Sequence, residues 1–132
     1  MRETLERLFS DFENTVNNLR IALQIAKDDL DVDGTIKRFE LCYELSWKII
    51  KTYLEDLGII CKNPRDCFKE AFNNDLIDDE TVWMEMIEDR NRLVHTYTFE
   101  QSREIFENIK SKYINSIENL YSKLKRDFEN EQ

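Results

Sequence analysis

The stretch "LERLFSDFENTVNNLRIALQIAKDDL" (Leu5–Leu30) decides the fold class. Its apolar residues recur at intervals of three or four positions: Leu5, Leu8, Phe12, Val16, Leu19, Leu23, Ala26 and Leu30. This spacing places them along one face of an α-helix, as in a helical bundle. We therefore expect a long first helix that breaks at "DVDGT" (31–35), with Asp33 or Thr35 capping the next helix.

The residues after this break predict a second long helix and a short third one. Apolar positions across 36–57 keep the helical spacing, and Gly58 follows them where a left-handed C-cap is favoured. Asn63 is a candidate N-cap, and Pro64 suits the first helical position. A short helix through 67–72 should follow.

Two further starts complete the pattern. "LIDDETVW" (76–83) predicts a helix capped near Asp78 or Asp79 that runs to about Leu93, and Thr98 and Gln101 of "TFEQ" form a capping-box pattern. The last helix has its core positions at Ile105, Ile109, Tyr113, Ser116, Leu120, Leu124 and Phe128. We expect one all-α domain over residues 1–132, an up-and-down four-helix bundle with an additional short helix.

Composition narrows the class of protein. The 132 residues include two glycines and one proline, too few for a fold of strands and turns. The net charge of −9 argues against broad electrostatic binding of nucleic acid. We therefore expect no DNA partner, and we expect any RNA contact to be local or to be helped by a partner protein. No apolar run approaches the roughly 20 residues of a membrane span, and the acidic N-terminus does not resemble a signal peptide.

Three cysteines, Cys42, Cys61 and Cys67, form an odd set without a disulfide scaffold pattern. We interpret them as reduced thiols of a cytoplasmic protein. Cys61 and Cys67 are six positions apart, unlike the closely spaced ligand pairs of structural zinc sites, so we expect no metal and no cofactor.

The long apolar faces also bear on assembly. A helix of about 25 residues is about 38 Å long, and the middle helices are expected to be shorter. A second copy of the chain would cover the remaining apolar surface, most simply as a two-fold homodimer.

The stretch "EDRNRLVHTYTFEQ" (88–101) holds the only histidine of the chain, His95, five residues after Arg90. On one continuous helix these side chains would diverge by about 140°. The capping box at Thr98 predicts that the helix ends just before His95, which would let the imidazole turn back. An imidazole beside a guanidinium suits phosphodiester chemistry without a metal. The alternative interpretation is that His95 only caps the helix C-terminus.

The neighbouring residues have ordinary interpretations as well. Tyr97 suits a half-buried rim position, and Asn91 and Arg92 suit solvated ones. The acidic residues nearby form a charged face or orient Arg90 by an ion pair: Glu85, Glu88 and Asp89. Trp47 and Trp83 fall on apolar faces and are expected in the core.

These motifs together resemble the HEPN superfamily, and within it the nucleotidyltransferase substrate-binding protein subfamily that includes the HepT toxins. The superfamily motif, R-x4–6-H with a polar residue after the arginine, reads Arg90, Asn91 and His95, and Tyr97 completes the subfamily pattern R-x4-H-x-Y. "RFELCYELSWKIIKTYLEDLGI", "NPRDCFKEAF" and "LIDDETVWMEMIEDRN" resemble the other family blocks in the expected order. One departure is at 74–75, where the family usually has a glycine.

The resemblance implies a homodimer in which two motifs face each other, paired with a minimal nucleotidyltransferase. It also implies a metal-independent ribonuclease toxin with catalytic Arg90 and His95, assisted by Asn91. The nucleotidyltransferase antitoxin would silence it by transferring AMP to Tyr97. Two alternatives remain open: a non-catalytic subunit that binds substrate or nucleotide for the nucleotidyltransferase, and a purely structural dimer.

Overall fold

A computed structural model describes residues 2–130 of the chain, and its regular structure is entirely helical within that range. Six α-helices and one π-helical turn follow each other: α1 (Arg2–Ile25), α2 (Asp29–Asp56), α3 (Pro64–Asn73), α4 (Glu80–Leu93), α5 (Phe99–Asn108), the π turn (Ile109–Tyr113) and α6 (Ile114–Asn130). The last three elements, α5, the π turn and α6, form one nearly continuous helical rod. The chain is therefore the expected bundle of four long helical segments with α3 as the short addition.

Cross-helix contacts fix the directions of these segments. The Arg103 guanidinium pairs with Asp29 at 2.7 Å, and the Tyr53 hydroxyl donates to Asp127 at 2.6 Å, so α2 runs parallel to the α5–α6 rod. Short connections return the chain between α1 and α2 and between α4 and α5. The up-and-down order is thus confirmed, and the start of α2, the end of α4 and the start of α5 meet at one end of the bundle.

The first helix break lies earlier than expected. The chain leaves α1 at Ile25, and Asp28 caps α2 through a reciprocal capping box with Asp31. The prediction that 31–35 breaks the helix is therefore wrong. Gly34 lies exposed inside α2, where one glycine costs only about 1 kcal/mol and does not end a helix. Leu30 consequently belongs to α2. Its side chain is 80% exposed and is not part of the apolar face of α1.

The connection between α2 and α3 follows the sequence prediction. Gly58 has φ 83°, and its N–H donates to Glu55 O at 3.0 Å while Ile59 N–H donates to Leu54 O at 2.8 Å. This is the Schellman pattern, in which a left-handed residue closes a helix. The Asn63 side chain caps α3 as predicted.

This connection corrects the prediction about the cysteines. Cys61 and Cys67 are joined by a disulfide, with their Cα atoms 5.0 Å apart. The turn at Gly58 and the cap at Asn63 bring the loop and the start of α3 within the distance that a disulfide needs. Cys42 remains a free thiol, and burial raises its pKa to about 12.

The entry into α4 uses acidic side chains for tertiary contacts. Asp75 has φ 61°, a left-handed conformation that favours glycine. Asp78 pairs with Lys123 at 2.5 Å. Asp79 is the N-cap residue of α4, as predicted, but its carboxylate accepts from the Ser116 hydroxyl instead of capping the helix.

The apolar seams are largely covered within one chain. α2 has 28 residues against 24 for α1, so the expectation of shorter middle helices is wrong for α2. The seam of α1 is buried at Leu5, Phe12, Val16 and Leu19. The exposed large apolar residues lie mainly elsewhere, among them Ile25, Leu30, Val94, Tyr97 and Phe99. Within residues 2–130, no helix combines the length and apolar character needed to cross a bilayer.

Candidate functional site at the end of helix α4

The residues from Arg90 to Tyr97 lie where α4 ends and α5 begins. α4 closes at Leu93, and the His95 N–H donates to Arg92 O at 3.3 Å in a last turn. Thr98 and Gln101 then form the predicted capping box: Thr98 N–H donates to Gln101 Oε1 at 2.8 Å, and Gln101 N–H donates to Thr98 Oγ1 at 3.1 Å. We call residues 94–98 the exposed segment. It is irregular backbone held between two helix ends.

The inner face of α4 beneath the exposed segment carries a buried carboxylate. Asp89 is only 5% exposed and accepts hydrogen bonds from Tyr113 Oη at 2.5 Å, Asn108 Nδ2 at 3.0 Å and Arg92 Nη1 at 3.0 Å. We call these four residues the Asp89 cluster. Burial first, and then the Asp89 carboxylate, raise the pKa of Tyr113. The cluster ties the end of α4 to α5 and to the π turn.

Arg90, one position after Asp89, contacts a different helix. Its Nη2 lies 3.5 Å from Oε1 of Glu44 on α2, and both side chains are about one-third exposed. The other oxygen of Glu44, Oε2, accepts from the Trp47 indole N–H at 3.1 Å. Beside them, Tyr43 is buried; burial and the Glu44 charge raise its pKa to about 12, against the opposing effect of Arg90.

The remaining motif side chains are exposed. Asn91, His95 and Tyr97 all lie at the surface, with Tyr97 37% exposed. Within residues 2–130, no hydrogen bond or ion pair engages the His95 imidazole, so the alternative in which this ring caps α4 has no contact to support it. An exposed imidazole without an intrachain partner is accessible to a bound molecule.

The two ends of the motif do not bond to each other within the described part of one chain. No hydrogen bond joins Arg90 to His95 there, although α4 ends before His95 as predicted. Asn91, His95 and Tyr97 are exposed around the end of α4, whereas Arg90 is partly buried against Glu44.

The acidic neighbours were only partly interpreted correctly. Glu85 pairs with Lys112 at 2.6 Å, and Asp89 is buried, so neither orients Arg90. Arg92, expected as a solvated residue, is bound by Asp89 and by Glu104 at 3.3 Å. The acidic residue that does face Arg90 is Glu44, which sequence reasoning missed because it lies on another helix.

The two tryptophans differ in burial. Trp83 is fully buried, as predicted, and its indole N–H has no hydrogen-bond partner within residues 2–130. Trp47 is only partly buried against the core, with its indole turned to Glu44. Among residues 2–130, no three His, Cys, Asp or Glu side chains are grouped so that they could hold a metal ion.

Sequence comparison relates the chain to a known family. Residues 4–126 match the family described as "Nucleotidyltransferase substrate binding protein like". A curated relative, "Probable ribonuclease HepT" of Haemophilus influenzae, is 30% identical over 116 residues, which cover 80% of this chain and 79% of the relative.

Solved structures share the fold. A protein from Thermus thermophilus superposes with a TM-score of 0.78 at 26% identity, covering 86% of this chain and 98% of its own. A Haemophilus influenzae protein, whose structure is described as revealing the fold of a substrate binding domain of a nucleotidyltransferase, gives a TM-score of 0.64 at 26% identity. That match covers 93% of this chain and 98% of the other.

Proposed function

The chain belongs to the nucleotidyltransferase substrate binding protein-like family, and we propose that it is a HepT-like endoribonuclease toxin that cleaves RNA through Arg90 and His95. The observation that carries the proposal is the exposed His95 imidazole, free of intrachain partners within residues 2–130, at the same helix end as Arg90. A relative of similar length bears the name of a ribonuclease. A general base must come within hydrogen-bond reach of the proton that it abstracts, and an exposed imidazole meets this requirement.

The chemistry requires a proton acceptor and a stable positive charge. In the proposed reaction, His95 takes the proton of a ribose 2′-hydroxyl as that oxygen attacks the adjacent phosphorus. The new bond joins the 2′-oxygen to phosphorus, and the bond from phosphorus to the 5′-oxygen breaks as the leaving oxygen takes up a proton. Arg90 binds the phosphate oxygens as negative charge grows on them, and Asn91 assists. The products are a 2′,3′-cyclic phosphate and a 5′-hydroxyl.

The proposed active form is a homodimer. Each chain supplies a single histidine, whereas transesterification uses both a base and an acid. Within residues 2–130, no hydrogen bond joins Arg90 and His95 of one chain. Two exposed segments facing across a two-fold axis would bring two imidazoles and two guanidiniums to one phosphate. The exposed apolar side chains of Val94 and Phe99 beside the motif suit such an interface.

The proposed partner is a minimal nucleotidyltransferase that silences the toxin. Tyr97 lies in the exposed segment, where a second enzyme can reach its hydroxyl more easily than in a helix interior. Transfer of AMP joins the Tyr97 oxygen to the α-phosphorus of ATP and releases pyrophosphate. The added anionic group, two residues from His95, would occupy the phosphate position and repel RNA.

A second candidate is a non-catalytic subunit that presents substrate or nucleotide to the nucleotidyltransferase. The net charge of −9 favours it, because an acidic surface binds RNA weakly. The solved relative described as a substrate binding domain of a nucleotidyltransferase is consistent with it.

RNA cleavage in the presence of EDTA separates the two candidates. We expect the purified chain to cut RNA and leave 2′,3′-cyclic phosphate ends, and its expression alone to stop growth. Coexpression with the proposed partner nucleotidyltransferase should restore growth and add AMP at Tyr97, as measured by intact-mass and peptide mass spectrometry. If a well-folded dimer leaves the RNA uncut, the result favours the second candidate, the non-catalytic binding subunit.

A further inference from the structure

The two arginines at the end of α4 are held in different ways. Arg92 contacts two carboxylates, Asp89 at 3.0 Å and Glu104 at 3.3 Å. Arg90 contacts one, Glu44, at 3.5 Å. A guanidinium has five N–H donors, so Arg90 keeps most of its donors for another anion while Glu44 limits its orientation.

Glu44 is itself held through its other carboxylate oxygen. Its two carboxylate oxygens are divided, with Oε1 toward Arg90 and Oε2 accepting from the Trp47 indole N–H at 3.1 Å. Glu44 projects from the middle of the 28-residue helix α2, between the buried residues Tyr43 and Ser46. A carboxylate fixed on a rigid element in this way can set the direction of a flexible arginine.

We propose that Glu44, anchored by Trp47, is a positioning residue that holds the Arg90 guanidinium in the orientation used to bind the scissile phosphate. The inference rests on the proposed ribonuclease function. It adds two residues of α2, Glu44 and Trp47, to a site that the sequence motif confines to the end of α4.

An alternative effect of Glu44 is competition with the phosphate for the Arg90 guanidinium. A partly exposed ion pair contributes little, so displacing Glu44 from Arg90 would cost less than about tenfold in binding. The pair occupies only part of the guanidinium, so a phosphate can bind the remaining N–H donors without displacing Glu44. Loss of orientation is therefore the expected effect of removing the Glu44 charge, and its size is likewise limited to about tenfold.

The test compares E44Q and W47F with E118Q as a matched control. Glu118 pairs with Arg20 at 3.0 Å, and both side chains are 38% exposed, so E118Q removes the same charge from a comparable pair without touching α4. We expect E44Q to lower kcat for RNA cleavage about fivefold to tenfold with little change in KM. W47F should lower kcat about fivefold. E118Q should change kcat less than about twofold.

A second measurement does not depend on ribonuclease activity. Side-chain ¹⁵N–¹H NMR of Arg90 reports how freely its guanidinium rotates. We expect hindered rotation in the parent and in E118Q, and faster rotation in E44Q and W47F. If the parent cuts no RNA but these spectra behave as expected, the ribonuclease proposal fails while Glu44 still positions Arg90. Unchanged Arg90 rotation in E44Q, or faster RNA cleavage by E44Q than by the parent, overturns the Glu44 proposal.

Discussion

The Asp89 cluster and the exposed segment are neighbours along the chain but differ in what their polar groups contact. In the cluster, one carboxylate accepts from Tyr113, Asn108 and Arg92 and is almost completely buried. In the segment, the His95 side chain has no partner within residues 2–130. Buried polar groups are costly unless they are paired, whereas exposed ones are paired by water until a ligand or partner arrives. The cluster thus stabilises the fold, whereas the exposed segment contributes few contacts to it.

The largest expected effect comes from removing the proposed general base, His95. H95A should lower the rate of RNA cleavage in EDTA by roughly 10²–10⁴-fold, as expected for loss of a general base. Its free energy of unfolding should stay within about 0.5 kcal/mol of the parent, because the imidazole is exposed and has no hydrogen bond or ion pair within residues 2–130. R90K is expected to lose most activity too, since a point charge does not reproduce bidentate phosphate contacts. Cleavage by H95A at the parental rate would contradict the catalytic assignment.

The second prediction concerns the stability of the Asp89 cluster. D89A should lower the free energy of unfolding by about 3 kcal/mol, because it leaves the buried Tyr113 hydroxyl and the half-buried Asn108 amide without their acceptor. E88A is the matched control: Glu88 is adjacent but exposed, and a change within about 0.5 kcal/mol is expected. Urea unfolding measures both. Equal stability of D89A and E88A would remove the distinction between cluster and segment.

The third prediction concerns alkaline pH. Burial raises the pKa of Tyr113, and that of Tyr43 to about 12, from a reference value of 10.0. The unfolded chain therefore loses these phenolic protons near pH 10 while the folded chain keeps them. Between about pH 10 and 12 the unfolded state binds fewer protons, so the free energy of unfolding falls as pH rises. Y113F should make this fall less steep than in the parent, as followed by denaturant unfolding at successive pH values. If the free energy of unfolding of Y113F falls with pH as steeply as that of the parent, the Asp89 cluster does not keep the Tyr113 phenol protonated.

The smallest expected effect is on the segment itself. Y97F should leave the free energy of unfolding within about 0.5 kcal/mol of the parent and keep any RNA cleavage, because Tyr97 is exposed. It should nevertheless gain no AMP when coexpressed with the nucleotidyltransferase, and its toxicity should persist. Intact-mass spectrometry of parent and Y97F decides the point. AMP on Y97F would place the modification on another residue.

Local sequence signals predicted most of the helix ends. The left-handed cap at Gly58, the N-cap at Asn63 and the capping box of Thr98 and Gln101 all formed as expected, because each depends on residues only a few positions apart. The break before α2 is misplaced in the sequence prediction because Gly34 is interpreted there as a helix stop. In the structure, Asp28 and Asp31 cap α2 ahead of that glycine. The disulfide was missed because the reach between Cys61 and Cys67 depends on the turn geometry.

The sequence by itself determined the class of fold and the position of the exposed segment at a helix end, since apolar spacing and caps are short-range properties. Only the tertiary structure decided that Asp89 is buried beside exposed Glu88, and that Glu44 rather than a neighbour on α4 faces Arg90. Successive residues on a helix point about 100° apart, so the rotation of each helix selects which side chain turns inward. That rotation is set by the packing of the whole core, which no local pattern contains.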